Sequence, residues 1–210
     1  MGLGHWYEEK VLPRMIKCAC SAPGILDLRE KVVPRASGAV FEIGCGGGIN
    51  QQFYDPAKVT SYAGIDPGAK LLDYARDAAR AKGWTADIRQ GVGEAIPFAD
   101  ASFDSVVCTY TLCSVQDPAQ VLRELHRVLR PGGRLLFLEH GLSPDAGAVK
   151  WQRRIEPLWK RMMGNCHLTR PVTRAVAGAD LAVTPLGQRY MPGMPRWAGW
   201  MEWGEAVRAG

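Results

Sequence analysis

Four glycines and one carboxylate carry the first chemistry in this sequence. Residues 40–50 read V-F-E-I-G-C-G-G-G-I-N, a β-forming run that breaks into Gly44, Cys45, Gly46, Gly47 and Gly48. A turn of this composition lets the backbone approach a ligand closely, and its amides face the ligand from the start of the next helix. The spacing argues against a phosphate. A dinucleotide fingerprint, G-x-G-x-x-G, needs a glycine where Ile49 stands, and no G-x-x-x-x-G-K-[ST] occurs anywhere in the chain. A second β-rich run ends in Y-A-G-I-D-P-G, placing Asp66 about 20 residues beyond the glycines, where an acidic side chain takes both hydroxyls of a ribose. D-P-G also forms turns unaided, but the carboxyl ends of strands in open α/β sheets are where ligands bind. The two signals together describe an adenosine-type ligand without a phosphate cradle.

The elements that must position these residues follow the same logic. From about residue 38, short β-rich runs alternate with helical patterns, which predicts βαβ units and a parallel sheet. Strands are expected at 39–43, 61–65, 86–90, 105–109 and 134–138, with helices at 71–82 and 118–129 between them. In the latter helix Val121, Leu122, Leu125 and Val128 recur at helical spacing, Asp117 caps the start, and P-G-G at 131–133 stops it. Two helices, 6–19 and 25–33, precede the sheet. Residues 149–163 place Trp151, Ile155, Leu158, Trp159 and Met162 opposite Lys150, Arg153, Arg154, Lys160 and Arg161, an amphipathic helix with a basic face. Runs at 181–190 and 200–207 finish the sheet, and the short P-G-M-P connection at 192–195 makes them antiparallel.

Composition bounds the rest. The chain has 210 residues, 47% hydrophobic and 22% charged, as expected for one globular domain. No run approaches a membrane span and the N-terminal residues carry no signal-peptide pattern, so a cytoplasmic location is expected. The six cysteines form no C-x-x-C pair, which favours reduced thiols over disulfides or a metal site. The net charge of +5 is concentrated late: residues 150–210 hold ten Lys/Arg against four Asp/Glu, together with five of the seven tryptophans. Such a segment meets an anionic substrate, a membrane surface or nucleic acid, or is simply a solvated face anchored by aromatics.

The ordered segments E-I-G-C-G-G-G, I-D-P, G-E-A-I-P-F-A-D-A-S-F-D and V-L-R-P-G-G resemble the motifs of class I S-adenosylmethionine-dependent methyltransferases over residues 36–140. The resemblance implies an α/β, Rossmann-like fold with helices on both faces of a seven-stranded, mostly parallel sheet whose last strand is antiparallel. It also implies one domain over 1–210: cap helices at 1–35, the cofactor core at 36–140, substrate lid helices at 141–180 and the last two strands at 181–210. S-adenosylmethionine would be the cofactor and S-adenosylhomocysteine the product. On this reading Gly44, Gly46 and Gly48, with Cys45, approach the methionyl part and ribose. Asp66, beside Pro67, holds the ribose, and Gly93 and Glu94 flank the adenine. Thr109 and Leu112 line the methionine portion, Glu42 orients the loop from below, and Tyr7 closes over the cofactor. Val92 stands where many relatives carry an acid, which leaves adenine to backbone groups and packing.

A narrower resemblance extends over nearly the whole chain. C-T-Y-T-L-C-S-V, F-L-E-H-G, W-Q-R-R-I-E-P-L-W-K-R and G-N-C-H-L-T-R are similar to the branch that contains the mammalian alkyl-thiol methyltransferases. It implies a small-molecule acceptor, a thiol first, with a phospholipid amine, quinone carbon or phenol as the alternative and non-catalytic cofactor binding as a third. A thiol ionises near pH 8.5, so a dry pocket and one base suffice. His140, directly after the fifth strand, is the expected base or substrate orienter, with Glu139 and His167 behind it. Cys113 is expected as a small buried residue, with a place at the acceptor's border as the alternative, and the basic 149–163 helix with Cys166 and Arg170 is expected to form the substrate lid. No amine-holding N-P-P-Y or D-P-P-Y motif follows the fourth strand, so nucleic acid is not an expected partner.

Overall fold

The computed structural model describes Val11, Met15 and residues 20–209. The helix expected over 6–19, with Tyr7, therefore lies outside the described residues apart from single positions. The chain then runs α1 (Pro23–Val32), β1 (Gly38–Ile43), β2 (Val59–Asp66), α2 (Ala69–Ala81), β3 (Ala86–Gln90), β4 (Phe103–Thr109), α3 (Pro118–Val128), β5 (Leu129–His140), α4 (Ala146–Met162), α5 (Val172–Ala177), β6 (Leu181–Tyr190) and β7 (Trp200–Arg208). The strands form one seven-stranded sheet in the order β3-β2-β1-β4-β5-β7-β6. β7 pairs antiparallel with both β5 and β6, while the other pairs are parallel. The order reverses between β1 and β4, which is where an open α/β sheet opens a crevice at its carboxyl edge.

Alternation along the central strands buries both faces. Val40, Tyr62, Val107, Leu136 and Leu138 face one side with Leu28 and Val32 of α1 and Leu72 and Ala75 of α2. Phe41, Ile65, Val106, Cys108, Leu135 and Phe137 face the other, against Leu122 and Leu125 of α3 and Val172 and Val176 of α5. Each fully buried Leu, Ile or Phe contributes about 1.5–3 kcal/mol, so the sheet is a rigid platform for whatever its edge displays. α3 begins as its sequence requires: Pro118 occupies the first turn and the Asp117 side chain accepts from Gln120 N at 3.0 Å.

Three details differ from the sequence expectation. The glycine turn leads into a five-residue 3-10 helix, Ile49–Phe53, and not an α-helix, so little helix dipole is aimed at the turn. α3 stops at Val128, and P-G-G at 131–133 lies within β5, where pairing with β4 slips in register. α4 turns only part of its apolar side inward: Ala148 and Gln152 are buried, whereas Trp151, Leu158 and Met162 are exposed. The 181–190 and 200–208 strands do form an antiparallel hairpin, closed by Met191 N donating to Gly199 O at 2.8 Å. No described helix is long and apolar enough to cross a membrane.

Candidate active site

The site is assembled from the ends of β1, β2, β4 and β5. After Ile43 the chain turns through Gly44, Gly46 and Gly48 with φ of +66°, +50° and +79°, conformations that side chains other than glycine adopt at a cost of roughly 1–2 kcal/mol. Cys45 N donates to Ile65 O at 3.0 Å, fastening the turn to β2. The Cys45 thiol packs down against Gly64, and burial pushes it well above the ordinary thiol range, so this residue offers its backbone and not its sulfur. Gly48 sits against Ala75 and Ala78 of α2, which is why the turn tolerates no side chain there.

Asp66 stands between two turns. Its Oδ2 accepts from Gly46 N at 3.0 Å and its Oδ1 from Gly68 N at 2.8 Å. Burial raises its pKa, and the two amide hydrogen bonds oppose that shift. A carboxylate has about four acceptor positions, so each oxygen keeps one for an incoming hydroxyl. A Cβ built on Gly46 meets nothing nearer than Asp66 Oδ2 at 3.9 Å. The space over the turn is therefore open beside the carboxylate, the shape a ribose with adjacent hydroxyls fits. Pro67 follows, its carbonyl accepting from Gln90 Nε2 at 3.0 Å. Gly93 packs tightly on Ile43 and Val121, and Glu94 Oε1 accepts from Gln116 N and Asp117 N at 2.9 and 3.1 Å, tying this loop to the start of α3. Val92 is exposed beside them.

Beneath the turn lies a buried polar network of which the sequence disclosed only two members. Glu42 accepts from Asn50 Nδ2, Tyr54 OH and Tyr62 OH at 2.8–2.9 Å. Burial pushes its carboxyl up to about 7. Arg29 of α1 reaches in to donate to Asn50 Oδ1 and, at 2.7 Å, to Thr109 Oγ1. Thr109 also accepts from Asn50 Nδ2 at 2.9 Å, which commits its hydroxyl to this network. The guanidinium lies 5.1 Å from the Tyr110 ring centroid, and Tyr110 itself holds a φ of +55° at the end of β4. Strained non-glycine backbone of this kind concentrates at functional sites. Arg29 gave no sequence signal because its partners Asn50 and Thr109 lie 21 and 80 residues away, and only the fold brings Tyr110 beside it.

β5 presents Glu139 and His140 in succession, and the pleat sends them to different neighbours. Glu139 accepts from the backbone N–H groups of Thr111, Leu112 and Cys113 at 2.8, 3.0 and 3.1 Å, with the Cys108 thiol 3.4 Å away. It thereby shapes the loop after β4, and burial pushes its carboxyl up to about 7. Leu112 is buried. His140 is 4% exposed, with Nδ1 3.7 Å from Cys166 Sγ and a buried Nε2 that has no hydrogen-bond partner among the described residues. The Trp159 ring of α4 lies 6.3 Å from it. The neighbouring Cys113 and His140 hold the half-buried Cys166 thiol well below the usual thiol range. His167 is turned elsewhere: its backbone N–H donates to Cys113 O at 2.7 Å while its ring lies 3.5 Å from Glu156. Arg170 donates to the carbonyls of Leu112 and Val115. Residues 165–170 are thus clamped across the loop after β4, bringing His140, Cys113 and Cys166 together and leaving His167 outside.

Two buried carboxyls with raised pKa contribute to the pH dependence of stability. Glu42 and Glu139 hold their protons up to about 7 in the folded chain against a usual 4.5. At these two groups the folded state binds more protons than the unfolded state between those values, so their contribution to stability falls as pH rises from about 4.5 to 7 and is level above. The expected drop is on the order of 3 kcal/mol for each group. Urea midpoints measured from pH 4.5 to 8 check this. Glu42→Gln, whose amide still meets both tyrosine hydroxyls, should remove about half of the slope, and an unchanged slope contradicts the assignment.

Comparison with known proteins places this geometry. Residues 41–137 match the family described as "Methyltransferase domain". The chain is 41% identical over 152 residues to thiol S-methyltransferase TMT1B of Rattus norvegicus, covering 70% of this chain and 61% of that protein. It is 35% identical over 171 residues to thiol S-methyltransferase TMT1A of Homo sapiens, covering 79% of this chain and 69% of that one. The crystal structure of YcgJ from Bacillus subtilis superposes with a TM-score of 0.72 at 18% identity, covering 89% of this chain and 98% of that one. This chain therefore spans less than two thirds of the rat relative's length. The sequence matches and the shared fold agree, and the chain belongs to the class I S-adenosylmethionine-dependent methyltransferases.

Proposed function

We propose that this protein transfers the methyl group of S-adenosylmethionine to the sulfur of a small-molecule thiol. The observation that carries the reading is His140, a buried imidazole whose Nε2 has no partner among the described residues, held beside Cys166 at the same sheet edge as Asp66. The relatives named thiol S-methyltransferases add the acceptor class. The bound cofactor supplies an electrophilic methyl on a positively charged sulfur. Asp66 would accept from the two ribose hydroxyls and the Gly44–Gly48 backbone would hold the cofactor. Gly93 and Glu94 would border the adenine, with Pro67, Thr109 and Leu112 as walls and supports. His140 takes the acceptor's proton on Nε2 while Nδ1 faces the Cys166 sulfur at 3.7 Å, which orients the ring. Glu139 acts through the loop it holds, as a positioning residue, and His167 fixes the lid segment. Burial of His140 and Cys113, with Cys166 half-buried beside them, excludes water from the acceptor thiolate, which is a stronger nucleophile when desolvated.

The test is release of S-adenosylhomocysteine across a panel of alkyl thiols, phenols, amines and quinols. Turnover is expected with thiols at least tenfold above the other classes. Preference for an amine, quinol or phenol replaces the thiol assignment, and tight cofactor binding with no product from any class replaces catalysis by cofactor binding alone.

A further inference from the structure

The outer surface of α4 carries a feature that no part of the site uses. Trp151, Leu158 and Met162 are spaced by seven and four residues, which sets them in one line along the helix. They are 57%, 61% and 44% exposed, three of the most exposed large apolar side chains among the described residues. Lys150, Arg154 and Arg161 follow the complementary spacing of four and seven and form an exposed basic line directly beside the first. Arg153 adds a further exposed cation. The only acid in the helix, Glu156, is engaged by the Thr169 N–H and hydroxyl at 2.8 and 2.7 Å, so the outward surface is uniformly positive. The opposite side of the helix is committed inward, through buried Gln152, which bonds Gly141 O and Ser143 N at 3.1 Å, and through Trp159 against His140.

We infer that the outer surface of α4 is a seat for an anionic lipid bilayer. An apolar line flanked by lysine and arginine matches a membrane interface, where the apolar groups enter the acyl boundary and the cations meet headgroup phosphates. A nucleic acid would match the cations and leave Trp151, Leu158 and Met162 without a use, since stacking on bases asks for aromatics along a groove and this line holds one. The inference concerns a surface outside the site and stands whatever the acceptor proves to be.

Co-sedimentation of the full chain with phosphatidylcholine vesicles, with and without a one-third share of phosphatidylglycerol, tests it. The chain is expected to sediment with the anionic vesicles, not with the neutral ones, and less at high salt. Lys150→Glu/Arg154→Glu/Arg161→Glu is expected to weaken partitioning about a hundredfold, since each basic residue near an anionic surface is worth roughly fivefold. Trp151→Ser/Leu158→Ser is expected to weaken it at least tenfold. All five residues are exposed, so both variants should keep the wild-type melting temperature and S-adenosylmethionine affinity. Sedimentation of the Trp151→Ser/Leu158→Ser variant equal to wild type, absence of binding to anionic vesicles, or displacement from vesicles by a single-stranded RNA at lower concentration overturns the inference.

Discussion

Replacing Asp66 with alanine is expected to lower the affinity for S-adenosylmethionine by at least about a hundredfold in titration calorimetry. Two hydrogen bonds from ribose hydroxyls to a carboxylate are worth roughly 1.5–3 kcal/mol each, and tenfold in affinity is about 1.4 kcal/mol. The same substitution removes the acceptors for Gly46 N and Gly68 N, so part of the loss comes from a loosened turn. Asp66→Asn separates the two contributions. The asparagine oxygen still accepts from one turn amide, while its NH2 group cannot accept from a hydroxyl, so affinity should remain at least tenfold below wild type with a near-native melting temperature. Because burial raises the Asp66 pKa, binding should also weaken as pH falls toward the carboxyl's titration, when one acceptor oxygen gains a proton. Undiminished affinity in the alanine variant would remove the carboxylate from the ribose and with it the reading of the turn.

The parts of this molecule that were legible in its sequence are those set by local spacing. Gly44, Gly46 and Gly48 announced a turn because their backbone conformations are ones only glycine adopts cheaply, and Asp66 announced an edge because it ends a β-rich run. The strand cores fell within one or a few residues of their observed limits, since alternation and flanking turns fix them. What escaped was set at a distance. Arg29 reads as one more cation on a leading helix, yet it is 4% exposed and bonds a residue 80 positions away. Nothing local distinguishes Glu139 as an anchor for three backbone amides from Glu139 as a second base, because its partners lie 26 to 28 residues earlier. α4 shows the limit of periodicity: the heptad-like spacing of Trp151 and Leu158 names a common face, but only the packing of Gln152 and Trp159 decides that this face is the outer one.

The same distinction governs the chemistry at His140. His140→Ala is expected to lower turnover by about 10²–10³-fold, within the range a positioned general base supplies, while cofactor affinity stays within about twofold because the Gly44–Asp66 seat does not touch the imidazole. A packing role would also lower turnover, so the discriminating readouts are chemical. Without the imidazole, the rate should follow the acceptor's own ionisation, climbing through pH 8.5 for an ordinary thiol and favouring acceptors of lower pKa. Added imidazole should restore part of the activity in the alanine variant and none in wild type. Glu139→Gln should behave differently, since it perturbs the amides of Thr111, Leu112 and Cys113 and not a proton transfer: lower stability and weaker binding, with an unaltered pH profile and no imidazole rescue. A His140→Ala variant whose pH profile matches wild type and which imidazole does not rescue would assign the base elsewhere, and leave the Cys113, Cys166 and His140 cluster as the packing that seals the site.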